Sequence, residues 1–120
     1  MTVLIAEDEP MTLRMLSIKL QKDGYHVVPA ADGKEALEYI KGNGCPDMVI
    51  TDMMMPFFSG LEIIEKIRRE LMSKTPIIVL SAMGQEEAVE AAFALGANDY
   101  ITKPFNPNEL SVRVKRLFEA

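Results

Sequence analysis

The chain has 120 residues, enough for one core in a single domain that would bury about two-thirds of the surface its unfolded form exposes. Thirteen Lys and Arg against eighteen Asp and Glu leave a formal charge of -5, and 48% hydrophobic with 26% charged residues is the balance of a water-soluble globular domain. That acidity disfavours direct contact with nucleic-acid phosphates, the lone Cys45 excludes an intrachain disulfide or Cys-rich zinc site, and no apolar run reaches the roughly 18 residues of a membrane span. Without a basic leader at its start, the chain is expected in the reducing cytoplasm.

Thr2 to Ala6 is a short apolar run cut off by Glu7-Asp8-Glu9-Pro10. Four more such runs follow, at His26 to Ala30, Met48 to Thr51, Pro76 to Ser81 and Asn98 to Thr102. Apolar residues in succession, not in strict alternation, predict strands covered on both faces, as in a parallel sheet. Helical spacing fills the gaps. From Met11 to Lys22, one set of apolar residues is Leu13, Leu16 and Leu20, and another is Met11, Met15 and Ile18, before a stop at Asp23-Gly24. Lys34 to Lys41 carries Leu37 and Ile40. Leu61 to Met72 carries Ile63, Ile64, Ile67 and Leu71, and Glu86 to Leu95 closes at Gly96. The last helix, Pro107 to Glu119, has Asn106 at its N-cap position. Strand and helix alternating five times predict one α/β domain over residues 1–120 with parallel strands.

In an open α/β sheet, ligands bind beyond the carboxyl ends of the strands. Here those ends carry Glu7 and Asp8, then Asp52, then Ser81, then Lys103. Carboxylates after the first strand would repel a nucleotide or flavin phosphate, which wants a Gly-rich loop there. They favour a hard divalent cation, Mg²⁺ or Mn²⁺, which relieves the repulsion among three converging acids and keeps positions open for water and phosphate. One lysine and one hydroxyl complete the set that a phosphoryl group needs. Asp52 would be the nucleophile, Lys103 would neutralise the equatorial oxygens and Ser81 would hydrogen-bond one of them.

These residues, with the runs Asp52-Met53-Met54-Met55-Pro56, Gly60, Ser81-Ala82 and Asp99-Tyr100-Ile101-Thr102-Lys103-Pro104-Phe105, give the chain a resemblance over its whole length to response-regulator receiver domains of two-component signalling. The resemblance implies a flavodoxin-like doubly wound fold: five parallel strands in the order 2-1-3-4-5, flanked by five helices. It implies that Asp52 takes a phosphoryl group from a histidine kinase or phosphotransfer protein. Asp8 would bind the metal directly, Glu7 would support it, and the backbone carbonyl of Met54 would be a further ligand. Ser81 and Tyr100 would form the switch, Lys103-Pro104 would be a cis step, and the fourth helix, fifth strand and fifth helix would meet a downstream effector or output domain.

Two departures from the family's commoner patterns carry expectations of their own. Glu7 stands where Asp is frequent, which predicts a tuned site. Met54 and Met83, two residues beyond Asp52 and Ser81, are apolar and bulky where they would control water's access to an acyl phosphate. On the expected output face, Asp99, Glu109 and Arg113 fit the salt-bridge network of winged-helix regulators, but the Glu86 to Leu95 helix has no Lys or Arg. Val89 and Phe93 are therefore the alternative anchors, for a phosphorylation-dependent homodimer or another partner.

Competing readings are weaker. An aspartyl phosphatase usually has a second acid two residues beyond its nucleophile, and here that position is Met54; the chain is therefore expected to be a switch and not a turnover enzyme. Glu9 and Asp32 read as solvated loop acids, His26 as a half-buried strand residue and Cys45 as a loop thiol.

Overall fold

The computed structural model describes residues 1–120. Each Val- and Ile-rich run becomes a strand: β1 (Thr2–Ala6), β2 (His26–Ala30), β3 (Met48–Asp52), β4 (Ile77–Ser81) and β5 (Asp99–Thr102). The helices are α1 (Pro10–Lys22), α2 (Gly33–Asn43), α3 (Gly60–Glu65), α4 (Glu86–Leu95) and α5 (Pro107–Glu119). All strands are parallel, in the order β2-β1-β3-β4-β5, as the resemblance implied.

Alternation along each strand builds a core on both faces of the sheet. Leu4 and Ala6 of β1, with Val49, Ile77 and Val79, meet Ala36 and Ile40 of α2, Ile63 and Ile64 of α3 and Ala92 of α4. Val3 and Ile5, with Met48, Ile50, Ile78, Leu80 and Ile101, meet Leu16 and Leu20 of α1 and Leu110 and Val114 of α5. Of the two apolar stripes read on α1, the leucines are therefore the buried one. Met11, Met15 and Ile18 stay exposed.

The caps explain several residues that composition alone made look ordinary. Glu9 is the N-cap of α1, accepting from the backbone N–H of Met11 and Thr12 and from the Thr12 hydroxyl. Asp32 caps α2 by accepting from Glu35 N–H, and Ser59 with Glu62 forms a reciprocal capping box on α3. Glu9 is exposed and Asp32 partly exposed in the connections that precede the helices, and each caps a helix as well, a role the sequence reading did not assign. His26 is exposed, not half-buried, because β2 is an edge strand. Cys45 does sit in a loop, half-buried against the core on the α2 side. The third helix also differs from its expected course: after α3 the chain makes a turn of π-helix, Lys66–Glu70, and stops before Met72.

Candidate functional site

The parallel register brings the strand ends to one edge. β3 ends at Asp52 opposite Leu80 of β4, and Met53 N–H donates both to the Leu80 carbonyl at 3.0 Å and to Asp52 Oδ1 at 2.8 Å. Asp52 is thereby held by its own following peptide. Gly60, at the start of α3, donates its N–H to the Met53 carbonyl at 2.9 Å, and a β-carbon there would lie 2.5 Å from the Asp52 carbonyl oxygen. Only glycine lets α3 come down on the backbone of the candidate nucleophile.

Lys103 follows β5 and is drawn toward β4 by a hydrogen bond from its N–H to the Ser81 carbonyl, 2.7 Å. Its ammonium bridges Glu7 Oε1 and Asp52 Oδ2, the latter at 3.1 Å. The Lys103–Pro104 peptide is cis, as the resemblance implied. Glu7 is fully buried, and its other oxygen accepts from Glu9 N–H at 3.2 Å. Burial pushes the Glu7 carboxyl above its ordinary pKa and the neighbouring Asp52 adds to that, against the opposing pull of Lys103. For Lys103, burial alone would favour the neutral amine, but the bonds to Glu7 and the field of Asp52 outweigh it, so its pKa is raised.

Asp8 is exposed, yet its carboxylate converges with those of Glu7 and Asp52 so that one oxygen of each lies within 4.8 Å of the others. With all groups ionised, three carboxylates against one ammonium leave two negative charges in excess. The donor set is oxygen only, with no thiol or imidazole in it. Both features suit a hard divalent ion of the Mg²⁺ type, and neither suits a soft one.

The remaining candidates lie on β4, β5 and the loops that follow β3 and β4. Ser81 ends β4 and is buried. Met54 and Met83 are exposed by 64% and 78% on the loops after β3 and β4, so both side chains stand in solvent. Tyr100 is outward and meets Phe93 of α4 edge-on, with centroids 5.8 Å apart. An open cavity of about 390 Å³ is lined by Ser81, Val89, Glu90, Tyr100 and Thr102. Farther along, Arg113 of α5 binds Asp99 at 2.7 Å and Glu109 at 3.3 Å, so this polar network closes within the chain. Sequence reasoning missed the Gln85 side chain, whose Oε1 accepts from Ala82 N–H at 2.7 Å, and the Arg68 guanidinium, which binds three separate segments.

The sequence matches the family described as response regulator receiver domain over residues 3–115. It is 38% identical to the response regulator GtcR of Aneurinibacillus migulanus, over 98% of this chain and 49% of that protein. It is 36% identical to the alkaline phosphatase synthesis transcriptional regulatory protein PhoP of Bacillus subtilis, over 96% of this chain and 47% of that one. The chain thus spans about half the length of these curated relatives. Among solved structures, the receiver domain of Francisella response regulator 1452 superposes with a TM-score of 0.89 at 35% identity, covering 98% of this chain and 96% of the other. No helix is long and apolar enough to cross a membrane. Agreement of sequence, strand order and acidic strand ends leads to one conclusion: the chain belongs to the response regulator receiver domains of two-component systems.

Proposed function

We propose that this chain is a phosphorylation-dependent switch in which Asp52 accepts a phosphoryl group from the phosphohistidine of a sensor kinase or phosphotransfer protein. The observation that carries the reading is the Asp52 carboxylate, fixed by Met53 N–H and Lys103 and flanked by two further acids that converge on it. A carboxylate oxygen of Asp52 attacks phosphorus in line as the phosphorus–nitrogen bond of the donor breaks. An acyl phosphate and a neutral histidine result, the latter after taking a proton from solvent. No general base is needed, because the nucleophile is already ionised near neutral pH. The Lys103 ammonium is positioned to stay with the transferred group and balance its charge. Glu7, Asp8 and Asp52, with the Met54 carbonyl, would hold Mg²⁺ or Mn²⁺, which supplies charge neutralisation on the phosphoryl oxygens when bound.

Ser81 reports the new group by hydrogen-bonding to it, and Tyr100, now outward, turns into the cavity beside Ser81. The surface of α4, β5 and α5 changes as a result, and a downstream effector or an output domain reads it. A transcriptional regulatory relative twice this length fits the output-domain alternative. The chemistry is confined to gaining and losing one phosphoryl group: exposed Met54 offers no acid to assist a leaving group, so turnover of outside substrates is not expected. Cytoplasmic location follows from the need to meet a kinase's catalytic core.

Intact mass after incubation with acetyl phosphate tests the reading. One added phosphoryl group is expected for wild type with Mg²⁺, and none for Asp52→Asn or with EDTA. An adduct that persists in Asp52→Asn would sink the assignment. Neither adduct nor release of inorganic phosphate from folded wild type would do the same.

A further inference from the structure

The two ends of α4 are held in very different ways. At the C-terminal end, Gly96 takes the left-handed conformation, φ 118°, and its N–H reaches back to Ala92 and Phe93 while Ala97 N–H also bonds Ala92. The Gly96 carbonyl then accepts from Arg68 Nε at 3.0 Å. The same guanidinium donates to the Ser73 carbonyl at 2.9 Å and to Asn98 Oδ1 at 2.9 Å. Asn98 passes the connection on: Oδ1 also accepts from Ile77 N–H at 2.8 Å, and Asn98 N–H donates to the Ile77 carbonyl at 2.9 Å. One side chain in the π turn after α3 thus ties the end of α4 to the starts of β4 and β5. Glycine is favoured at position 96 by conformation, and a β-carbon there would meet Arg68 Nε at 2.8 Å and displace the guanidinium from its seat.

Arg68 has no carboxylate partner, and all its acceptors are neutral. It is therefore a directional clamp and not a charge pair. At the other end, α4 has no side-chain cap: Gln85 occupies the N-cap position but its amide is turned back to Ala82 N–H. Ala82, Met83 and Gly84 are exposed, and the one buried residue of the helix, Ala92, lies toward the clamped end. The loose end is the end next to Ser81.

We propose that Arg68 is the fixed pivot of α4, so that rearrangement of the loop after Ser81 tilts the helix about Gly96 and does not carry the whole helix away. The inference rests on the phosphorylation reading for what moves the loop, while the clamp itself exists in the unmodified protein. Movement would be greatest at Glu86 to Val89 and smallest at Gly96 to Asn98.

Hydrogen exchange of wild type with and without acetyl phosphate and Mg²⁺ tests this, with intact mass taken on the same samples. In phosphorylated protein, amide exchange within residues 82–90 should change about tenfold or more, with Gly96, Ala97 and Asn98 within about twofold of the unmodified rates. In Arg68→Lys, which keeps the charge but loses the fork, the phosphorylation-driven change should spread into residues 96–98. Equal changes at both ends of wild-type α4, no change at either end of a phosphorylated sample, or a confined response retained in Arg68→Lys would each overturn the pivot. Lack of any adduct would count against the phosphorylation reading; the clamp is then judged on unmodified Arg68→Lys and Arg68→Gln. There, exchange at Gly96 and Ala97 should rise about tenfold while Ala36 and Ile40 in α2 hold their rates, and unchanged protection at Gly96 would overturn the clamp.

Discussion

Lys103 is the one cation among three carboxylates, and it stands where a divalent ion would compete with it for Glu7 and Asp52. Lys103→Met leaves Glu7, fully buried, without a counter-charge. In EDTA the variant should melt below wild type, and added Mg²⁺ should raise its melting temperature more than it raises that of wild type. Equal Mg²⁺ shifts would argue against a shared site. The pH dependence has a definite sign. Because the folded state raises the Lys103 pKa, its ion pairs contribute fully below the ordinary lysine value, and the contribution is lost as pH rises through the folded-state value. Metal-free wild type should thus converge on Lys103→Met only in strongly alkaline solution. The two methionines are expected to act on a later step. Met54 and Met83 stand exposed on the loops after β3 and β4, two residues beyond Asp52 and Ser81, and apolar bulk there should hinder the approach of water to an acyl phosphate. Met54→Asn with Met83→Glu should shorten the phosphoryl lifetime several-fold, followed as phosphate release; an unchanged rate would refute the role.

Elements place these residues through a few close contacts. Gly60→Ala would put a β-carbon 2.5 Å from the Asp52 carbonyl and 3.1 Å from Met53 Cα, both backbone atoms that cannot swing aside. Such overpacking should cost roughly 1–3 kcal/mol in denaturant melts and slow phosphorylation as well. Gly42→Ala, in the last turn of α2, is the contrast, since nothing lies within 4 Å and a helical position favours alanine by up to about 1 kcal/mol. The strand ends were legible in sequence because carboxylates directly after Val- and Ile-rich runs can occupy few places in a parallel sheet. Which stripe of α1 faces inward was not, since Leu13-Leu16-Leu20 and Met11-Met15-Ile18 share one period; the neighbours decide, here Val3, Ile5 and α5. Periodicity also carried the third helix too far. Ile63, Ile64 and Ile67 are buried, but the π turn ends the regular spacing, and Leu71, four residues beyond Ile67, is half exposed. Arg68 left no signal at all, because its partners are two carbonyls and an asparagine set by tertiary structure.

Two copies, or one copy and an effector, would meet through groups that are free to bind outward. Arg113 is already committed to Asp99, Glu109 and the Tyr100 carbonyl within one chain, so it has little to offer a second. Phe93, 43% exposed and set against Tyr100, is an apolar anchor on the expected output face. Sedimentation of the phosphorylated protein should show association that weakens about tenfold, about 1.4 kcal/mol, in Phe93→Ala. Dissociation caused by Arg113→Ala with Phe93→Ala silent would reverse that assignment.

The sheet itself limits the alternatives. His26 N–H of β2 bonds inward to the Met1 carbonyl, and alternation therefore points the backbone of positions 27 and 29 at the open edge. Position 29 is proline, which has no N–H to give, so the β2 edge breaks its row of donors where an added strand would need one. Growth of the sheet into a neighbouring chain is disfavoured on that side, which leaves assembly to the helical faces and to the β5 edge, where a phosphate-dependent change would be felt.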